Sequence, residues 1–243
     1  MTKGAKLSLL LISLTILLMA ALMSGVIKSS HWELNNIEIE AEFKRVSSEQ
    51  IRLVVAAYSE RSFFKVNPDR IREKLTTLPW VQRVSVNKKW PNSLIIKLIE
   101  HKAVAVWNDN QLLNEDGKVF EVDSIDDLAA LPQIQGNDNN SSQIWDKYIR
   151  YNEIVKKTGF DIISSSISNR GGWELELSNG VSVNLGSQQM DAKLVRLTDT
   201  WTQLLKSNEK KPLYIDLRYT NGYVVKWPPN ELNNTDSQTQ VGT

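Results

Sequence analysis

The sequence contains no cysteine and only two histidines among its 243 residues. The missing thiols exclude disulfide bonds, thiolate metal sites and a lipid-modified amino-terminal cysteine. His31 adjoins an apolar amino-terminal segment and His101 follows a predicted strand, and neither has a second ligand at helical spacing. The serines of the SSSIS stretch lack the pattern of a nucleophile elbow. We therefore expect a protein that is not an enzyme and that holds no metal or cofactor.

The sequence also lacks an excess of charge of either sign, since its formal net charge is +1. A nucleic-acid-binding domain usually carries a marked basic excess, so no nucleic-acid partner is expected. No glycine-rich loop that could cradle phosphates is present. The polar stretch GNDNNSSQ offers oxygen atoms, but it lacks the central glycine and terminal glutamate of a calcium-binding loop.

One long apolar run is present, from Leu7 to Ile27, and it contains no charged residue. At ~1.5 Å of rise per residue, a helix of this length spans the hydrocarbon core of a bilayer. A cleaved signal peptide is the alternative, but its apolar region usually has ~7–15 residues and precedes a small-x-small cleavage site. Because this run is longer and lacks that site, residues 7–27 are predicted to form an uncleaved transmembrane helix.

The charges that flank this run predict its orientation. Lys3 and Lys6 precede it, and positive residues favour the cytoplasmic side of a membrane. Residues 1–6 are thus predicted to be a short cytoplasmic tail. Everything after about Lys28 is then outside the cytoplasm, and in a Gram-negative cell it is periplasmic. The predicted topology is that of a single-pass type II inner-membrane protein.

Residues 35–102 show the order strand, helix, helix, strand, strand. Ser47 and Gln50 match a capping box, and Asn67 with Pro68 forms a second helix start. The run 81–86 is predicted to be a strand with Val81, Arg83 and Ser85 on one face and Gln82, Val84 and Val86 on the other. The strand-like run 94–100 follows after a turn. This order predicts two helices packed on one face of a three-stranded sheet.

Residues 103–228 consist of short strand-like runs, turns and two predicted helices, one around 144–155 and one from about 187 to 205. They predict a mixed β domain with helices packed on an antiparallel sheet, so that the fold class is α+β. Residues 131–143 are predicted to be a polar loop, and residues 229–243 are predicted to be disordered because they are almost devoid of apolar side chains.

The dipeptide Asn221-Gly222 is a strong hairpin signal near the end of this domain. A two-residue turn there places Tyr219 opposite Val224 and Arg218 opposite Val225, and it gives Gly222 a positive φ. The last strand would then end at Trp227, just before two prolines.

Three stretches carry a family resemblance: LPWVQRVSVNKKWPNSLIIKLIEHKAVAVW, LLNEDGKVF and YIDLRYTNGYVVKW. Together with the order of elements, they resemble the FtsQ (DivIB) family of cell-division proteins. The resemblance implies a single-pass inner-membrane scaffold at the division site, with a POTRA domain at 35–102 and a β domain at 103–228. It further implies that the β domain binds FtsB and FtsL. The POTRA domain is implied to bind upstream division proteins such as FtsK.

The last strand is the predicted partner-binding edge, because it carries Lys226 as its only charge and so is poorly protected against pairing. A partner that adds a strand would satisfy its open backbone groups. The alternative is that Tyr223, Val225 and Trp227 share a face that packs on the core. The predicted contact residues are Tyr219, Asn221, Gly222, Tyr223, Val225 and Trp227.

A second contact surface is implied by the resemblance alone. Arg83, Val86 and Lys88 match positions of the family's recruitment surface on the POTRA domain. A place in the domain core is the alternative for Val86.

A different function is also open, namely a single-POTRA binding or chaperone module of an export or outer-membrane assembly system. One POTRA unit after one anchor argues against it, because such systems usually carry tandem units.

Overall fold

The computed structural model describes residues 3–23, 33–58, 63–206 and 210–229. The chain divides into two compact units, Met1–His101 and Lys102–Thr243. The predicted disordered tail lies outside the described residues except for Pro229, as do residues 1–2 of the predicted cytoplasmic tail and residues 24–27 of the predicted transmembrane run. The helices are α1 (Lys3–Met23), α2 (Ser48–Tyr58), α3 (Pro68–Leu75), α4 (Ser141–Val155) and α5 (Met190–Lys206).

The strands of the first unit are β1 (Asn36–Glu40), β2 (Val81–Lys89) and β3 (Ser93–Glu100). Those of the second unit are β4 (Ala103–Trp107), β5 (Gln111–Asn114), β6 (Val119–Glu121), β7 (Gln133–Gln135), β8 (Ile162–Ile167), β9 (Trp173–Leu177), β10 (Ser182–Gly186), β11 (Tyr214–Asp216) and β12 (Val224–Lys226).

The amino-terminal apolar segment is helical as α1. Its side chains from Leu10 to Ala20 are exposed. Among the described residues, no helix combines the length and the apolarity that crossing a membrane requires.

The rest of the first unit has the predicted β-α-α-β-β order. Its sheet has the order β1-β3-β2, with β1 parallel and β2 antiparallel to β3. Both predicted helix starts are present: the Asn67 side chain accepts from the backbone N–H groups of Asp69 and Arg70, and Ser47 and Gln50 bond reciprocally. These caps satisfy amide groups that a helix start leaves without partners, which is why local sequence was sufficient to find them.

The strict alternation predicted for 81–86 is interrupted. The β2–β3 register shifts between Val81 and Arg83, so Val81 and Val84 are both buried although they are three residues apart. A β-bulge of this kind adds one residue to a strand and moves the residues before it to the other face.

The second unit contains one nine-stranded sheet of order β12-β11-β10-β9-β8-β7-β4-β5-β6. The prediction of an antiparallel sheet is partly wrong, because the pairs β4–β7, β7–β8 and β10–β11 are parallel. One core cluster joins buried side chains of α4 and α5 with those of β8, β9 and β10. The sheet is therefore mixed and carries the two helices, as an α+β domain does.

Strand β7 lies inside the segment that the sequence predicted to be a polar loop, and that prediction is wrong. Ile134 is fully buried, and β7 pairs with both β4 and β8. The strand has three residues, and the two glutamines on either side of Ile134 are exposed. A single apolar residue between two glutamines gives too short an alternation to stand out from a loop.

The predicted two-residue hairpin at Asn221-Gly222 is also wrong. Strands β11 and β12 pair with Ile215 opposite Val225 and Asp216 opposite Val224, so residues 217–223 form the connection. Gly222 is not among the residues of positive φ. The strand pairing of β11 ends here because the backbone of Arg218 has other partners. Its N–H donates to the Asp216 carboxylate and its carbonyl accepts from Nζ of Lys193, so neither group pairs with β12.

Candidate partner-binding edge

Strand β12 forms one end of the nine-stranded sheet. In the part of the chain that the structure describes, it pairs only with β11. An outer strand presents backbone N–H and C=O groups on the side away from its neighbour. The geometry thus offers a place where an extended segment can add to the sheet.

The side chains of β12 alternate between solvent and core. Val224 is 54% exposed and Lys226 is exposed, whereas Val225 packs against the domain core. Tyr219, in the connection before β12, is 55% exposed. Tyr219 and Val224 are therefore the large apolar side chains that a segment could contact at this edge.

Tyr223 is held by the protein itself. Its ring packs against the core, and its hydroxyl lies 2.7 Å from Oγ1 of Thr200 on α5. Oγ1 of Thr200 already donates to the carbonyl of Arg196 at 2.8 Å, so the Tyr223 hydroxyl is the donor. This bond ties the residue before β12 to the helix beneath the sheet.

The connection between the two strands begins at a charged pair. The guanidinium of Arg218 donates to the buried carboxylate of Asp216, with Nη2–Oδ2 at 2.6 Å and Nε–Oδ1 at 2.9 Å. The carboxylate also accepts the backbone N–H of Arg218. Hydrogen bonding from Arg218 holds the pKa of Asp216 below its usual range, and the same bonds raise the pKa of Arg218.

A buried lysine on α5 also donates hydrogen bonds to this turn. Nζ of Lys193, on α5, donates to the carbonyls of Leu185 and Arg218 at 3.4 and 3.3 Å. Its positive charge contributes further to the lowered pKa of Asp216. A buried charge is stable only when it is well paired. The bond from Lys193 therefore holds the carbonyl of Arg218 and positions the backbone that leads into Tyr219.

The other predicted contact residues differ in their surroundings. Asn221 is exposed, and Trp227 is half-buried at the end of β12. Gly222 is half-buried, and a Cβ added there would meet nothing within 4 Å. Neither φ nor crowding therefore explains a glycine at position 222.

The predicted POTRA residues lie on β2, which is an outer strand of the three-stranded sheet. Arg83 is exposed beside the bulge. Val86 packs partly against the domain core. Lys88 is exposed, and its Nζ donates to the carbonyl of Phe64 at 3.2 Å. Two of the three side chains thus reach solvent, and the valine supports the strand.

Sequence reasoning missed two residues at the β12 edge. Val224 was not among the predicted contact residues, because the wrong register paired it with Tyr219. Arg218 was absent although its side chain is 61% exposed beside Tyr219. The alternation that puts Tyr223, Val225 and Trp227 on one face could have identified Val224 on the other face. The contacts of Arg218 with Asp216 and Lys193 depend on the fold.

Comparison with protein families places both units. The family described as "Cell division protein FtsQ/DivIB, C-terminal" matches residues 105–218. The family described as "POTRA domain, FtsQ-type" matches residues 33–101. The first match ends before Tyr219, so the candidate edge lies just beyond it.

Curated relatives match across both units. The cell division protein FtsQ of Xanthomonas campestris is 32% identical over 219 residues, which cover 90% of this chain and 78% of that protein. The FtsQ of Shewanella oneidensis is 31% identical and covers 79% of this chain and 72% of its own length. The FtsQ of Neisseria gonorrhoeae is 25% identical and covers 94% of both. With its POTRA domain and its FtsQ-type second domain, the chain belongs to the FtsQ family of bacterial cell-division proteins.

Proposed function

We propose that this chain is a non-enzymatic, membrane-anchored scaffold of the bacterial division complex, which binds FtsB and FtsL by strand addition to β12. Family membership supports a role in cell division. The observation that carries the strand-addition proposal is the position of β12 at the end of the sheet, with β11 as its pairing partner on one side.

The energetics of such a contact require both backbone and side chains. Each added backbone hydrogen bond contributes a net ~1 kcal/mol, so a three-residue strand supplies only a few kcal/mol. Tyr219 and Val224 lie where they can add apolar contact, and tyrosine is among the residues that dominate interface energetics. A partner strand on β12 would therefore bury Tyr219 and Val224 together.

The remaining predicted residues take supporting or peripheral roles in this proposal. Tyr223 and Val225 hold the strand on the core, and Trp227 extends the contact beyond the strand. Asn221 and Gly222 lie in the connection and border the added segment.

Membrane anchoring is part of the proposal. α1 is charge-free from Leu7 onward, and Lys3 and Lys6 precede that run. Exposed apolar side chains along α1 suit contact with lipid tails. The basic end remains in the cytoplasm by the positive-inside rule, which leaves residues 35–102 and 103–228, the POTRA and β domains, in the periplasm at the division site.

We further propose that the POTRA domain binds upstream division proteins such as FtsK through β2. Arg83 and Lys88 provide charged side chains at an outer strand, and Val86 fixes that strand on the core.

Substitution at the edge tests the β12 proposal. Tyr219→Ala and Val224→Asp should each lower capture of the FtsB-like partner from membranes at least about tenfold, since a hot-spot side chain contributes ~2 kcal/mol or more. The charge is placed at Val224 and not at Val225, because Val225 contacts the core and a charge there would also affect folding.

Ile163→Asp is the matched control, since Ile163 is an exposed aliphatic residue on β8, an inner strand of the same sheet. It should leave capture unchanged. Circular dichroism and thermal unfolding check that each variant is folded. Normal capture by folded Tyr219→Ala and Val224→Asp proteins would overturn the assignment of the edge.

A further inference from the structure

One end of the POTRA domain carries exposed aromatic side chains. Trp90, in the turn between β2 and β3, is 70% exposed, and Phe64, in the segment before α3, is 60% exposed. Lys88 connects the two positions, because its Nζ donates to the carbonyl of Phe64 at 3.2 Å and it lies two residues before Trp90. We name Phe64, Lys88 and Trp90 the aromatic tip.

The chain enters the domain beside this tip. The N–H groups of Asn35 and Asn36 donate to the carbonyl of Asn92, at 3.2 and 3.5 Å, and Asn36 begins β1 opposite Ser93. Residues 24–32 separate α1 from the first described residue of the domain. At ~3.5 Å per residue, the ten steps from Met23 to Glu33 span about 35 Å at most. If α1 is anchored in a bilayer, the aromatic tip is at the membrane-facing end of the domain.

The charges described at this end have both signs with a small excess of lysine, namely Lys65, Lys88 and Lys89 against Glu33 and Glu38. Lys65 and Lys88 are exposed close to Phe64. Lys89 is paired with Glu38 across the sheet, with Nζ–Oε1 at 3.3 Å. The pair is neutral and the exposed Glu33 offsets one lysine, so Lys65 and Lys88 leave a net excess of one positive charge. Tryptophan with lysine is the combination found at bilayer interfaces, where the ring lies at headgroup depth and the ammonium group reaches lipid phosphates.

We propose that the aromatic tip contacts the headgroup region of an anionic membrane surface and so holds the POTRA domain against the bilayer that carries α1. This inference rests on the membrane anchoring in the proposed function. At Phe64 and Trp90 a lipid surface is favoured over a protein partner, because the short connection and the excess of lysine both direct this end of the domain toward the bilayer. Lys88 borders both this tip and the β2 surface proposed above, which Arg83 extends away from the tip.

The absence of cysteine makes a direct test possible, because one introduced cysteine carries the only label. The full chain is reconstituted in vesicles of phosphatidylethanolamine and phosphatidylglycerol that contain nitroxide lipids, which quench a nearby fluorophore. The probe is attached through Asn87→Cys, an exposed position near the tip that leaves Trp90 intact. Thr77→Cys, exposed just beyond α3 at the opposite end of β2, is the matched control. Leu14→Cys reports on α1.

Quenching at position 87 should exceed quenching at position 77 by about twofold or more. It should fall when Trp90→Ala is added, and it should weaken with vesicles of zwitterionic lipid or at ~1 M salt, where charge attraction is screened. Thermal unfolding of the Trp90→Ala protein serves to verify that the domain is folded.

Equal quenching at positions 87 and 77, with strong quenching at position 14, would overturn the inference and leave the anchor intact. The inference is also overturned if Trp90→Ala changes nothing at position 87, which is the result expected if the tip instead binds a protein. Failure of position 14 to be quenched would overturn the membrane anchor itself. The two proposals therefore fail in different ways.

Discussion

At the residue scale, exposure separates the two tyrosines near the edge. Tyr219 and Tyr223 are both aromatic and both precede β12, so composition alone does not distinguish them. The structure gives Tyr223 a hydroxyl partner on α5 and a packed ring, and it leaves Tyr219 more than half exposed. The sequence could not separate their roles, because Thr200 lies on a helix distant in sequence.

A double-mutant cycle tests the supporting role of Tyr223. Tyr223→Phe and Thr200→Val should each lower the free energy of unfolding by about 1 kcal/mol, because each removes the same hydrogen bond. The double variant should then cost less than the sum of the two single variants. Urea denaturation measures all three.

Thr198→Val is the control for the helix, since the Thr198 hydroxyl donates to Val195 within α5. Its effect on the free energy of unfolding should be additive with that of Tyr223→Phe. If the losses in free energy of unfolding from Tyr223→Phe and Thr200→Val were fully additive, the hydrogen bond between the two hydroxyls would contribute nothing to the stability of this region.

At the scale of elements, local signals predicted well and long-range pairing did not. The helix starts at Ser47 and Asn67 were found because their caps satisfy amides within a few residues. The dipeptide Asp116-Gly117 is a local turn signal of the same kind, and Gly117 has a φ of +67°. The end of β11 depends instead on the bonds of the Arg218 backbone with Asp216 and with Lys193 on α5, and a pattern of alternation does not show these bonds.

Gly117 provides an element-scale prediction. A Cβ there would lie 2.6 Å from the Cα of Ser142, the second residue of α4, and it would also be strained by the positive φ. Gly159, with a φ of +85° and nothing within 4 Å, has only the second problem. Gly117→Ala should therefore lower the free energy of unfolding by at least ~1 kcal/mol more than Gly159→Ala does.

Chemical denaturation of the two alanine variants makes that comparison directly. Equal losses in free energy of unfolding would mean that α4 moves away from the turn at little cost. That result would contradict the close packing of Gly117 against Ser142.

At the scale of the whole molecule, the sequence predicts two domains after an anchor, and the matched family regions cover residues 33–101 and 105–218. The residues proposed to reach the partner, within 219–227, lie after the matched regions. Patterns within the two domains therefore identify the family, whereas the position of the edge comes from sheet topology.

The measurement that bears most directly on the central claim is amide hydrogen exchange of this chain with and without the FtsB-like partner. If the partner adds a strand, amides of Val224–Lys226 should exchange more slowly in the complex, since new backbone hydrogen bonds protect them. Amides of β6, at the other end of the same sheet, should be unchanged. A stable complex in which exchange at Val224–Lys226 is unaltered would contradict strand addition at β12.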